Sequence, residues 1–532
     1  MEFDYVIIGA GSAGCVLANR LSADKNNTVA LLEAGGVDSY PWIHIPVGYF
    51  KTMGNPRTDW SYKTEHDAGL NGRSITWPRG KVLGGSSSIN GLLYVRGQAL
   101  DYDGWRQLGN AGWAWEDVLP YFKRAETYDQ GGDEHRGASG PLSVSASRVK
   151  RDIIDAWIEA ANQAGFRTND DYNGAEQEGV GYFQMTMRDG RRCSAAVAYL
   201  HPVDYRSNLT VLTKTPAQRL ILEGKRVVGV EALVDGEKVT VRARKEVILS
   251  AGAIASPQLL MVSGIGGAAQ LSEHDIEVRH ELRGVGQNLQ DHLQARPVYR
   301  CTASTINVEV NSLFKQAVIG ARYMFTRTGP MAMAASLGAG FVKSRPELES
   351  PDIQFHVQPF SKSDMANKDP DSFSAFTMSV LQLRPESTGE IKLKSPHMAD
   401  YPAIHPNYLA TRNDQNTIVA GIRVARDIAE CEPLSSLITA EHAPGPSIAS
   451  DDYDGLLNWA RDTATTIFHP TGTCKMGNDE AAVVDDRLRV HGLAGLRIAD
   501  CSIMPRIVSG NTNAPAIMIG EKAADMILAE HK

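Results

Sequence analysis

Three glycines and an acid near the start of the chain have the spacing of a nucleotide site. Gly9, Gly11 and Gly14 stand in the run Gly9-Ala10-Gly11-Ser12-Ala13-Gly14, and Glu33 follows 19 residues after the last of them. In that pattern the first glycine permits a tight turn and the second lets backbone approach a pyrophosphate. The third lets a helix pack closely on a strand. Open N–H groups of a helix beginning at Ser12 and Ala13 would face the phosphates. Glu33, with Ala34 beside it, would accept hydrogen bonds from ribose hydroxyls. A second group lies near the other end, where His469 precedes Pro470 and Asn511, Thr512 and Asn513 follow about forty residues later. Histidine is the commonest base for a hydroxyl proton. Taken alone, though, a histidine before proline is more often structural than catalytic, because many histidines simply satisfy loop hydrogen bonds.

The elements around the glycines agree with the spacing. An apolar run from Phe3 to Ile8 reads as a strand, Ala13, Val16, Leu17 and Leu21 recur at helical spacing, and residues 28–33 read as a second strand ending on Glu33. Strand, glycine turn, helix, strand and acid come in the order a dinucleotide site requires, but FAD and NAD are not distinguished by it. At 532 residues the chain is too long for one core. The net charge of −8 argues against a nucleic-acid partner, whose phosphates need a basic surface. Six scattered cysteines without CxxC spacing, and histidines without ligand spacing, predict neither a disulfide framework nor a metal site. No apolar run approaches the length that spans a bilayer. With no basic leader before the first strand, the chain reads as cytoplasmic, with peripheral membrane contact left open.

Three further blocks decide the cofactor. The first runs from Gly80 through Val82, Gly84, Gly85 and Ser86 to Asn90 and Gly91, and on to Tyr94 and Arg96. The second runs from Gly252 to Pro257 and on to Gly266. The third joins His469-Pro470-Thr471-Gly472-Thr473-Cys474 to Asp500-Cys501-Ser502 and Asn511-Thr512-Asn513-Ala514-Pro515. Together these resemble the glucose–methanol–choline (GMC) oxidoreductase family, in its bacterial alcohol and choline dehydrogenase-like branch. The resemblance implies FAD rather than NAD, and an α/β fold in which a Rossmann-type FAD-binding domain carries an inserted α+β substrate domain with an antiparallel sheet. It implies that 1–155, 205–297 and 462–532 form the FAD domain, and that 156–204 and 298–461 form the substrate domain.

The resemblance also assigns residues. Val82, Gly84, Gly85, Ser86, Asn90 and Gly91 become contacts to flavin or pyrophosphate, and Asp500 and Thr512 fall in the C-terminal cofactor block. Trp60 matches an aromatic near the adenine, although a core tryptophan is as good an account. Ala217 stands where a main-chain contact to adenine is expected and where valine is commoner. His469 becomes the base. Its partner, either His or Asn in the family and about 44 residues further on, becomes Asn513, while Asn511 is assigned to the flavin. Ile467 and Phe468 would line an apolar pocket wall or simply pack. FAD is expected to be non-covalent, because Ile89 stands where tethering relatives place a histidine.

The implied reaction is oxidation of a small-molecule alcohol to an aldehyde or ketone. The proton goes to His469 and the hydride to flavin, and the electrons then pass to a quinone-like acceptor or to oxygen, with a dehydrogenase favoured. Three alternatives remain: a non-redox lyase on the same scaffold, a binding protein that keeps FAD for stability, and an NAD enzyme. Elsewhere, a helix is expected over 151–165 with Ile153, Ile154, Trp157 and Ile158 on its apolar stripe. Strands are expected at 353–359 and 390–395, the first with Gln354, His356 and Gln358 on one face. Segments 302–336 and 361–373 are candidates for a mobile lid.

Overall fold

The computed structural model describes residues 1–362 and 370–531. The apolar N-terminal run forms strand Glu2–Ile8, buried from Asp4 onward, and its neighbours on both sides are parallel. The sheet order is Leu209–Leu212, Val29–Leu32, Glu2–Ile8, Glu237–Leu249, Arg226–Val234, Ala217–Glu223, with Leu496–Ile498 also pairing in parallel with Glu237–Leu249. Strands from the first, middle and last parts of the chain therefore share one sheet. Helix Ser12–Leu21 connects Glu2–Ile8 to Val29–Leu32 and packs against the long C-terminal helix Asn513–Glu530. The approach is close enough that a Cβ on Gly520 would sit 2.9 Å from the Ala13 carbonyl oxygen.

The second sheet is antiparallel: Ile438–Ala443, Val298–Cys301, Ala375–Gln382, Ile353–Gln358, Gly338–Val342 and Gly179–Tyr182. Strands Leu293–Ala295 and Thr465–Thr466, which lie within the segments expected to form the FAD domain, are hydrogen-bonded into this sheet. The run expected as a strand at 390–395 is shorter, Glu390–Lys392, and pairs only with Ala403–His405.

Alternation along Ile353–Gln358 has a physical cause. Phe355 meets Trp157 of helix Asp152–Gln163, and Ile353 and Val380 lie against Gly421 of helix Arg412–Ala429. Gln354, His356 and Gln358 consequently face the other way, yet they are buried as well. Their face looks toward the C-terminal histidine block, because the Gln354 Nε2 donates to Asn511 Oδ1 at 3.3 Å. Of the expected lid segments, 302–336 carries helices Ile306–Glu309 and Leu313–Thr326. Within 361–373, residues 363–369 lie outside the described residues.

Candidate functional site

The glycine turn is as tight as the spacing requires. Gly9 has φ +101°, where a Cβ would stand 2.5 Å from the Ser250 carbonyl oxygen, and a Cβ on Gly14 would stand 1.9 Å from that of Gly9. Helix Ser12–Leu21 starts at Gly11 with no side-chain cap and no acid in its first turn, leaving its positive end open to an anion. Glu33 is buried, and its two oxygens accept from Ala10 N at 3.0 Å and Gly35 N at 2.7 Å. Burial pushes its carboxyl up to about 7 despite those donors. Each oxygen keeps a lone pair for a ribose hydroxyl.

The Gly-Ser loop closes over this turn. Gly84 N donates to Ala10 O at 2.8 Å, and a Cβ on Gly85 would lie 2.7 Å from Gly11 Cα. Such a cradle, which any side chain would fill, fits a pyrophosphate. Ser86 spends its hydroxyl within the loop, accepting from Gly80 N at 3.1 Å. Asn90 Oδ1 accepts from Arg192 Nη1 at 2.7 Å, and Arg192 also donates to the carbonyls of Ile43, Ser87 and Asn90. Burial lowers this guanidinium to about 9. It is the scaffold of the loop, and the adjacent Cys193 is a buried thiol pushed up by desolvation. Gly91 is fitted against Ala335, 2.5 Å from where its Cβ would be.

Trp60 stacks on Tyr62 with Lys81 Nζ 4.4 Å from its ring, and Val82 bridges to Gly36. Thr215 N donates to Glu33 O at 2.8 Å, which lays the segment leading to Ala217 beside Glu33 and the half-buried Ala34. Asp500 is occupied by Gly252 N at 2.9 Å, Ser256 Oγ at 2.6 Å and Ser502 N at 2.8 Å. It therefore pins the helix Gly252–Val262 beside the sheet.

The asparagine beside His469 is Asn511, where the sequence pointed to Asn513. Asn511 Nδ2 lies 3.0 Å from His469 Nε2, whereas Asn513 Oδ1 accepts from Ser12 Oγ at 2.8 Å. The cause is the helix start between them. Thr512 caps Asn513–Glu530, so Asn513 turns with the first helical residues toward helix Ser12–Leu21, while Asn511 precedes the cap and faces the second sheet. Asn513 meets the first residue of helix Ser12–Leu21, and Asn511 meets the histidine.

His469 is held at its backbone N–H and at both ring nitrogens. Its N–H donates to Asp291 Oδ1 at 2.7 Å, and Asp291 Oδ2 accepts from Thr466 Oγ1 at 2.6 Å and from the Tyr408 hydroxyl. Burial raises Asp291 to about 6. Phe468 takes φ +73°, an uncommon conformation for a side chain with a Cβ. It is fixed by Thr466 Oγ1 on its N–H, at 2.7 Å, and by Arg79 Nη2 on its carbonyl. Ile467 N donates to His292 O at 3.0 Å, and both Ile467 and Phe468 are half-buried.

The ring nitrogens of His469 can be assigned. His292 Nε2 lies 2.9 Å from the Leu383 carbonyl, which can only accept, so Nε2 carries the proton. Burial lowers His292 to about 4, so it is neutral near pH 7 and its Nδ1 must accept. Across 3.0 Å, His469 Nδ1 then donates to it. Desolvation, followed by the neighbouring His292, His356 and Arg79, pushes His469 well below its ordinary value, so its Nε2 is a bare lone pair. Asn511 Nδ2 donates to that lone pair, and its Oδ1 accepts from Gln354. Donation runs in one direction from Gln354 to Leu383. Near this chain, Gln354 Oε1, His356 Nε2 and Ser379 Oγ are buried without a protein partner. His356 and Ser379 face each other across the ladder.

Asp291 and His292 carry no local signal in the sequence and were missed by it as site residues. Only their distance in space to His469 identifies them. Among the described residues, no group of three or more His, Cys, Asp or Glu is arranged to hold a metal ion.

Residues 3–294 and 385–520 match the N- and C-terminal profiles of the GMC oxidoreductases. The chain is 43% identical to the mitochondrial choline dehydrogenase of Mus musculus, over 99% of this chain and 89% of the mouse protein. It is 42% identical to the alcohol dehydrogenase [acceptor] of Pseudomonas putida, over 99% of this chain and 96% of that one. Among solved structures, the pyridoxine 4-oxidase of Mesorbium loti superposes with a TM-score of 0.90 at 31% identity, covering 100% of this chain and 99% of the oxidase.

Proposed function

This chain belongs to the GMC oxidoreductases, which bind FAD, and from that premise we propose that it oxidises an alcohol to an aldehyde or ketone with His469 as the base. The observation that carries the proposal is the unprotonated His469 Nε2 beside the Asn511 amide. A substrate hydroxyl entering between them donates its proton to Nε2. The Asn511 N–H turns to the oxygen as charge develops there, and a preorganised donor of that kind stabilises an alkoxide. The carbon-bound hydride then needs a two-electron acceptor, which is the chemistry FAD supplies when bound. Asp291 and Arg79 keep the histidine backbone in place while its ring takes the proton, and His292 keeps its tautomer. The unpartnered polar atoms of Gln354, His356 and Ser379 suit a second polar group on the substrate.

Within this reading the cofactor spans the cradle of the first sheet, and the substrate lies against the inner face of the second. On this reading 1–155, 205–297 and 462–532 surround the cofactor, and 156–204 and 298–461 surround the substrate. Electrons leave to a quinone-like acceptor rather than to oxygen. What supports this reading is the Pseudomonas putida relative named alcohol dehydrogenase [acceptor], at 42% identity; relatives named oxygen-dependent choline dehydrogenase, at 44%, make oxygen the alternative that reoxidation decides. The experiment is an anaerobic screen of primary alcohols, polyols and choline for loss of the flavin's visible absorbance, followed by reoxidation with air and with a soluble quinone. Bleaching by no alcohol would contradict the proposed reaction. Reoxidation by air as fast as by quinone would contradict the acceptor.

A further inference from the structure

Helix Leu313–Thr326 is built inside out. Of its 14 residues only Tyr323 is buried, anchored by its hydroxyl to the Gly190 carbonyl at 3.0 Å. Leu313 is 83% exposed, Phe314 79%, Val318 52%, Met324 66% and Phe325 84%. At about 100° per residue, these five and Ala317 and Ala321 fall in one arc of roughly 140°, opposite Tyr323, with Arg322 and Lys315 along one edge. A water-facing helix normally shows the reverse. Helices of this length are marginal in water unless an apolar face is packed, and this one presents its apolar face outward.

The charge pattern says what kind of surface covers it. From Val310 to Pro346 the chain has no Asp or Glu, while it carries Lys315, Arg322, Arg327, Lys343 and Arg345, in a protein of net charge −8. Lys343 pairs with Glu178, but Lys315, Arg322 and Arg327 take part in no ion pair among the described residues. An outward apolar arc with a basic edge and no acid is the pattern of a helix that lies in the headgroup region of a bilayer. No helix among the described residues is long and apolar enough to cross a membrane. We propose that helix Leu313–Thr326 docks the protein on an anionic lipid surface, with Leu313, Phe314, Val318, Met324 and Phe325 in the acyl boundary and Lys315 and Arg322 on lipid phosphates.

The helix is joined to the cofactor loop by a short segment. Nine residues after Thr326, Ala335 N donates to Gly91 O at 3.2 Å, and Ala335 packs on Gly91. Docking therefore brings the flavin loop within a short chain length of the lipid, where a lipophilic electron acceptor would be met. The docking itself does not depend on which alcohol is oxidised.

The test is cosedimentation of the FAD-loaded protein with vesicles of phosphatidylcholine, alone or with about one third phosphatidylglycerol. Wild type is expected in the pellet with the anionic vesicles, and much less with the neutral ones. The double variant Phe314→Ser, Phe325→Ser should lose at least about tenfold in partitioning. Lys315→Glu, Arg322→Glu should bind like wild type does to neutral vesicles. Retained flavin colour and unchanged reduction by alcohol would show that both variants are folded. The proposal is overturned if wild type pellets no more with anionic vesicles than without vesicles, or if the phenylalanine variant binds as well as wild type. It is also overturned if sedimentation velocity shows a wild-type dimer that these substitutions split, because the helix would then be covered by a second copy.

Discussion

At the scale of the residue, the account separates two asparagines that stand only two positions apart. Asn511→Ala removes the donor at His469 Nε2 and should slow flavin reduction by the equivalent of about 2–4 kcal/mol. Asn513→Ala, at the Ser12 end of the cradle, should leave the reduction rate within a few-fold and weaken FAD retention instead. Stopped-flow reduction rates and FAD-to-protein ratios for the two variants check this, and equal rates in both would reverse the assignment. His292 is the second test. With its Nδ1 gone in His292→Leu, the Nδ1–H tautomer of His469 is no longer enforced, and reduction should slow by about 10–100-fold. His292→Gln, whose amide oxygen can accept, should recover part of that loss, which a purely space-filling role would not. The pH dependence follows from the lowered His469 value. A base whose pKa lies well below 6.5 stays unprotonated as pH falls to that point, so kcat/KM for reduction should show no loss attributable to this base between pH 8 and pH 6.5. His469 was legible in the sequence as the proposed base because it sits in a motif. Its partner was not, because a helix start between 511 and 513 decides which amide faces it, and a count of residues cannot see that turn. His292 lies 177 positions from His469, and no local pattern links them.

At the scale of the element, the nucleotide-binding unit was readable because its period and punctuation are local. Alternation, three glycines, a helical stripe and an acid occur within 33 residues. The close helix–strand approach makes one substitution decisive. Gly14→Ala would put a Cβ 1.9 Å from the Gly9 carbonyl oxygen, against backbone that cannot move without opening the turn. Its cost should exceed the ~1–3 kcal/mol of an overpacked core. FAD content and the thermal midpoint should both drop, and a variant that kept full FAD at the wild-type Tm would contradict the packing described. The second sheet was harder to read. Strand Ile353–Gln358 is buried on both faces, so Gln354, His356 and Gln358 were legible as one face, but whether that face met solvent or the site depended on helices 60 to 200 residues away. Strands Leu293–Ala295 and Thr465–Thr466 could not be read from the sequence for a similar reason. They are too short to show a period, and they lie where the chain crosses between sheets.

At the scale of the whole molecule, the proposed cofactor cradle is built from the first, middle and last parts of the chain, so FAD retention measures their assembly. Nothing in the loop offers a covalent tether: Ile89 is buried and hydrocarbon, and no histidine lies between His66 and His135. Acid or heat should therefore release all of the yellow colour into the supernatant, and colour that stayed with the precipitated chain would reveal a covalent bond. The central claim is that His469 takes the alcohol's proton through Nε2. The most direct measurement is the rate of anaerobic flavin reduction by a good alcohol substrate in wild type and in His469→Ala, both loaded with FAD. The account predicts that the variant stays yellow and is reduced about 10²–10⁴-fold more slowly. Reduction at the wild-type rate would contradict it.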